Sequence, residues 1–313
     1  MTMIINTGSR TDTVQYYTEW LLKKFEEGYV YSRNPMYPEK VTKYILSPDV
    51  VDCVIFCSKN YRPILPYIET ITDKYNTYFF YTITAYGKDV EPNVPSIDES
   101  IDTLLDLANI VGKQRVAWRY DPILLTDIYT KSKHYQTFEY MTQKISPYID
   151  RCIFSFVDMY KKLKVNMPEI LPLSETDKID IVRNIGYIAK KYNMLIQTCA
   201  TGADYNTFGI LNSGCITSEI LEKANDIKFK YVRHAGNRTN CRCIETRNIG
   251  DYDTCPNGCK YCYANQNPYV AVKNYKKHNP NSEFILGNLS GYDEIKISNQ
   301  KSFLLECEQK KLF

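Results

Sequence analysis

Three thiols late in the chain, Cys255, Cys259 and Cys262, stand in the run Thr254-Cys255-Pro256-Asn257-Gly258-Cys259-Lys260-Tyr261-Cys262-Tyr263-Ala264, spaced C-x3-C-x2-C with an aromatic residue before the last. An electron-carrying [4Fe-4S] cluster normally has every iron capped by cysteine, so three ligands leave one iron open. Catalytic metal sites keep an open position that structural sites close. The amino and carboxylate groups of S-adenosylmethionine can chelate an open iron. An electron from the reduced cluster then breaks the sulfonium bond and releases a 5′-deoxyadenosyl radical, which abstracts hydrogen from an unactivated carbon, while the protein positions and shields the reactants. Zinc is the competing chemistry. Cys259-x2-Cys262 is also a zinc knuckle that Cys241-x-Cys243 can complete as a ribbon, although Cys255, Cys199 and Cys215 are then unexplained.

A second thiol set is expected. Cys199 ends a predicted strand, Cys215 follows the turn Asn212-Ser213-Gly214, and Cys241-Arg242-Cys243 leads into another strand. These four are enough to close an auxiliary [4Fe-4S] cluster or a structural zinc site, and thiolate softness suits both metals. Cys53, Cys57 and Cys152 fall inside apolar runs and read as small buried hydrophobes. Cys307 lies in a polar tail. Eleven cysteines favour metal binding over disulfides if the chain is cytoplasmic.

These groups need a scaffold. The first two-thirds of the chain alternates short β-branched or aromatic runs with helical stretches, the pattern of βα units around a parallel sheet. Strands are predicted over 4–8, 29–33, 51–57, 77–84, 115–119, 151–156 and 194–198, and helices over 14–25, 97–111, 132–145 and 175–192. Ser96 with Glu99 and Ser174 with Asp177 carry the spacing of capping boxes. An eighth strand over 243–249 would run into the cysteine loop and then a helix over 269–277. The expected fold is α/β, a (β/α) TIM-like barrel, with units in 1–200 and a cysteine-rich, cluster-binding segment in 201–313 closing it.

In such a barrel the active site forms at the C-terminal ends of the strands. The polar residues predicted there are Ser9-Arg10-Thr11-Asp12, Arg33-Asn34-Pro35, Ser58-Lys59-Asn60, Thr82, Thr84, Tyr86, Arg119-Tyr120-Asp121-Pro122, Asp158, Tyr160 and Cys199. Taken singly, each is more often a cap, a turn or a salt bridge than a catalyst. Arg119 and Asp121 are the favoured catalytic pair: the guanidinium can grip a carboxylate or phosphate in bidentate fashion, and the carboxylate can orient it or bind a ribose hydroxyl.

The net charge is +3, but between Lys223 and Lys277 eleven Lys or Arg stand against four Asp or Glu, so the remainder carries about −4. A solvated face is the default meaning. The functional one is a basic surface for an acidic electron donor such as flavodoxin or ferredoxin, or for nucleic-acid phosphates. The 28 tyrosines do not separate these. No apolar run reaches the ~20 residues of a membrane span, and the opening Met1-Thr2-Met3-Ile4-Ile5 lacks the basic flank and long apolar stretch of a signal peptide. A cytoplasmic location without membrane partners is expected.

The cysteine loop resembles that of the radical S-adenosylmethionine superfamily, C-x3-C-x-aromatic-C, with Tyr261 at the aromatic, cofactor-binding position. Its Cys262-Tyr263-Ala264 ending is similar to spore photoproduct lyase and its relatives. That superfamily usually carries its loop near the start of the barrel and shows a Gly-Gly-Glu stretch; here the loop comes late and no Gly-Gly occurs. Two arrangements fit: a circularly permuted barrel whose last βα unit closes against the first strand, or a partial barrel with an appended cluster domain. Permutation would bring Arg10 and Asp12 to the bound S-adenosylmethionine. The chain also resembles a bacterial family catalogued as domain of unknown function 1848, through Ser9-Arg10-Thr11-Asp12, Ser47-Pro48-Asp49-Val50-Val51-Asp52, residues 118–127 and residues 273–282. The implied function is a radical enzyme of unknown substrate, a small molecule favoured over nucleic acid. The rivals are a zinc-stabilised nucleic-acid or protein binding module without catalysis, and a radical enzyme acting on nucleic acid.

Overall fold

Runs buried on both faces become the central strands. In β1 (Ile4–Asn6) every residue is buried, and in β4 (Cys53–Ser58), β5 (Thr77–Thr82) and β7 (Arg151–Phe156) all but one are, as expected of a parallel sheet covered on both sides. The structure, a computed structural model, describes residues 3–235 and 240–305. Cys307 lies outside them.

Around these strands the chain forms α1 (Thr13–Tyr16), α2 (Thr18–Glu27), β2 (Tyr29–Arg33), β3 (Lys40–Ile45), α3 (Ile68–Lys74), α4 (Ile97–Val111), β6 (Val116–Ile123), α5 (Lys131–Ile145), α6 (Leu163–Asn166) and α7 (Glu175–Lys191). It continues through β8 (Leu195–Thr198), β9 (Leu211–Asn212), α8 (Ser218–Asn225), β10 (Arg247–Asn248), α9 (Pro268–Tyr275) and β11 (Glu294–Ile297). Both capping boxes form, at the starts of α4 and α7. The helix expected over 14–25 is broken at Tyr17, which ends α1 and starts α2.

Eight strands make one sheet in the order β10-β1-β4-β5-β6-β7-β8-β9, each ladder parallel. The last of these strands in sequence lies beside the first, with Ile5 opposite Arg247 and Asn6 opposite Asn248. Alternate strand residues enter two cores. Val54, Phe79, Trp118 and Phe154 pack with Leu21, Leu104, Phe138 and Ile185 of α2, α4, α5 and α7. Ile55, Tyr78, Phe80 and Ile153 face the other way and pack with Ile220, Leu221 and Ala224 of α8. Burying each large side chain stabilises by about 1.5–3 kcal/mol.

Two expectations need correction. The stretch 29–33 is not a strand of the main sheet: as β2 it pairs antiparallel with β3, which also pairs with β11 in a separate three-stranded sheet. Its place among the eight main strands is taken by β9, while the strand expected over 243–249 forms as the shorter β10. Among the described residues no ladder joins β9 to β10. That seam is crossed by Ile244 N donating to Ile216 O at 2.9 Å and by the Arg242 guanidinium on Asn212 O at 3.0 Å. No described helix is long and apolar enough to cross a membrane.

Candidate active site

The C-terminal ends of the parallel strands open onto one cavity of about 880 Å³, where βα folds build their sites. Each strand, or the turn just after it, supplies lining: Asn6 from β1, Cys57 from β4, Thr82 from β5, Arg119 from β6, Ser155 from β7 and Asn248 from β10, with Cys199 and Cys215 following β8 and β9. Arg10, Asp12, Tyr261 and all seven late cysteines line it too. Every residue singled out from sequence for catalysis, cofactor or metal is therefore gathered on one cavity. Cys57 joins them; it is not a fully buried hydrophobe, although burial, opposed by Arg119, pushes its thiol up to about 12.

The cysteine loop leads from β10 toward α9 and is fastened on several sides. Gly258, with φ +71°, makes a turn between Cys255 and Cys259 that a side chain would strain. Asn93 donates to Pro256 O at 2.8 Å, Asn265 to Cys255 O at 2.6 Å, and Lys260 N to Val90 O at 3.0 Å. The Lys162 ammonium donates to the carbonyls of Tyr263 and Asn265, each at 2.6 Å. Burial raises the thiols of Cys255 and Cys259, with Asp12 acting on the first and Glu91 on the second. A metal bound there would have to displace their protons.

Asp12 is the hub behind the loop. Its carboxylate accepts from Ser58 Oγ at 2.7 Å, Gln15 N at 3.0 Å, Lys59 N at 3.0 Å and Asn257 Nδ2 at 3.3 Å. Burial raises its pKa against these bonds. Asp12 is thus engaged in holding β1, β4 and the cysteine loop together. Arg10 is differently placed: its guanidinium makes long contacts to Arg33 O at 3.5 Å and Gly250 O at 3.4 Å and lies over the Tyr252 ring, 5.5 Å from its centroid. Nearby, burial pushes Asp251 up to about 6, against the Leu286 amide, Arg10 and Arg33.

Tyr261 donates its hydroxyl to Glu91, which also accepts from Thr84 Oγ1 at 2.7 Å and Lys59 Nζ at 2.9 Å. Its ring lies 5.7 Å from that of Tyr86. Arg119 pairs with Asp121, whose other oxygen accepts from Ser155 Oγ. Burial opposes the Arg119 charge, but Asp121 and the thiols of Cys215, Cys199 and Cys57 hold its pKa well above the ordinary value. Sequence reasoning missed Glu91 and Asn257. Asn257 stood in view inside the cysteine loop, whereas Glu91 sits in a turn without periodicity.

The four remaining cysteines meet at the sheet's seam. Cys199 Sγ lies 3.7 Å from Cys215 Sγ, which lies 3.3 Å from Cys243 Sγ, and the Cys243 thiol also meets Cys241. Among the described residues, no group of three or more His, Cys, Asp or Glu side chains stands arranged to hold a metal ion, so a metal would have to shift these thiols from their present contacts. The thiols bond to one another instead.

Fold and site define an α/β protein whose parallel strands present two sets of thiols to one strand-end cavity. The chain belongs to the family described as Domain of unknown function (DUF1848), whose model matches residues 4–264. The stretch 273–282 lies beyond that match. No curated protein and no solved structure matches the chain.

Proposed function

We propose that this protein is a radical S-adenosylmethionine enzyme whose [4Fe-4S] cluster is held by Cys255, Cys259 and Cys262. The observation that carries the reading is the position of these three thiols on one braced strand-to-helix loop, facing a cavity that the ends of the whole parallel sheet surround. The residues fit such a group: the three thiols line one cavity and act electrostatically on one another. Buried polar atoms at the same cavity, Thr11 Oγ1, Asn248 Nδ2 and Asn265 Oδ1, have no partner. A ligand supplying both acceptors and donors would satisfy them.

When bound, the cluster supplies the electron that cleaves S-adenosylmethionine and so generates the 5′-deoxyadenosyl radical. The chain's residues bind and orient. Arg10, which lines the cavity, grips the methionine carboxylate. Asp12 positions the loop through Asn257. Tyr261, anchored on Glu91, offers a ring face to the adenosyl group. Arg119, with Asp121 fixing its fork, binds an anionic group of a small substrate. The cytoplasm is the fitting compartment, with flavodoxin or ferredoxin as donor. In this reading the βα unit carrying the loop is circularly permuted to the end of the chain and the sheet curves into a barrel; the parallel pairing of β10 with β1 supports it.

The test is anaerobic reconstitution and reduction with dithionite, following 5′-deoxyadenosine by mass spectrometry beside a Cys255→Ala, Cys259→Ala, Cys262→Ala triple variant. Deoxyadenosine from the wild type alone is expected. A fully loaded wild type that neither binds S-adenosylmethionine nor yields deoxyadenosine ends the reading.

A further inference from the structure

The four seam cysteines differ from the loop cysteines in how close their sulfurs stand. At zinc–sulfur bonds of about 2.3 Å, neighbouring sulfurs of a tetrahedral site lie about 3.8 Å apart. The measured separations of 3.7 Å and 3.3 Å approach that edge length, and Cys243 is the thiol on which the set converges. A cubane cluster, with each thiolate on a different iron, would hold them further apart. We propose that Cys199, Cys215, Cys241 and Cys243 form a closed mononuclear site for a soft divalent cation, zinc first, that fastens the open seam of the sheet.

The position explains why a clip belongs there. Cys199 follows β8, Cys215 follows β9, and Cys241 and Cys243 precede β10. The ligands therefore come from both sides of the seam, which no ladder among the described residues closes and where Ile244 and Ile216 share a backbone hydrogen bond. Gly214 permits the approach: a Cβ there would sit 2.5 Å from Arg242 O. Binding replaces four S–H protons by four metal–sulfur bonds, releasing four protons and leaving the tetrathiolate with two negative charges. Arg119 lines the same cavity as these cysteines, and its positive charge offsets part of that excess. No oxidant or reductant is involved.

The inference deepens the radical reading's account of the cavity but does not depend on the loop's cluster. The test is elemental analysis of the full chain and of the Cys255→Ala, Cys259→Ala, Cys262→Ala variant, each purified without iron reconstitution. About one zinc per chain is expected in both, and its loss in a Cys199→Ser, Cys215→Ser variant. Because that variant can misfold, wild-type protein is also stripped and refilled with cobalt(II), where the visible ligand-field bands and sulfur charge transfer of a tetrahedral tetrathiolate are expected. Zinc-free protein without those cobalt bands overturns the proposal. So does iron–sulfur absorbance surviving in the reconstituted loop variant, which would make the seam an auxiliary cluster. Failure of the deoxyadenosine assay with zinc retained sinks only the radical reading.

Discussion

Asn257 donates its side-chain amide to the Asp12 carboxylate at 3.3 Å across 245 positions of sequence. The same Asn257 accepts from the Tyr16 hydroxyl at 2.9 Å. The middle of the cysteine loop is thus tied to the turn after β1 and to the helix that Asp12 caps.

Replacing Asp12 by alanine should therefore release the loop. It strands buried donors at Ser58 and Asn257 and half-buried ones at Gln15 and Lys59, and each buried group left unsatisfied costs about 1–3 kcal/mol before relaxation or water entry. We expect a loss of at least about 3 kcal/mol in denaturant unfolding, together with fewer irons retained per chain after reconstitution. Full iron loading at unchanged stability would show that the hub does not brace the loop.

Glu91 and Lys59 form a nearly dry ion pair at 2.9 Å, with side chains 3% and 12% exposed. Glu91→Ala leaves the Lys59 ammonium buried without its partner, and such breaks cost about 3–5 kcal/mol. It also frees the Tyr261 hydroxyl. Glu91→Gln combined with Lys59→Met keeps the size of both side chains, removes both charges and retains an acceptor for Tyr261. Urea midpoints should fall steeply for the single variant and recover by more than half in the double. Equal losses in both would mean that packing, not the uncompensated charge, dominates.

The residues that sequence periodicity could reach were those in long elements. The main strands of four or more residues are nearly continuous apolar runs, and α4 and α7 begin at the capping boxes their spacing announced. The 29–33 stretch misled because its buried and half-exposed positions alternate, the pattern of a strand in a half-solvated sheet. Only two residues long, β9 and β10 carry no periodicity to read. At the site, the cysteine loop was legible because its three thiols stand close together in sequence. The Asp12 hub and the Glu91 anchor were not, since their partners include residues 245 and 170 positions away and only the fold brings them together.

His134 provides a pH test away from the thiols. Its ring is fully buried, with Nε2 2.8 Å from Leu124 O and Nδ1 2.6 Å from the Tyr120 hydroxyl. Because a carbonyl can only accept, Nε2 carries the proton and Nδ1 accepts from Tyr120. Burial, against the Leu124 bond, lowers the pKa of His134 from 6.5 to about 4. The folded value lies below the unfolded one, so between these values the unfolded chain binds the proton more readily. Stability is then fully present above about 6.5 and is lost as pH falls toward 4, by on the order of 3 kcal/mol. The raised pKa of Asp251 works in the opposite sense, weakening the fold as pH rises toward 6. Comparing the pH slope of unfolding free energy in wild type and His134→Gln therefore isolates the histidine. Between pH 4 and 6.5 the slope of unfolding free energy against pH should be less positive in the variant whatever its absolute stability, and identical slopes would mean that His134 takes up its proton in the folded state.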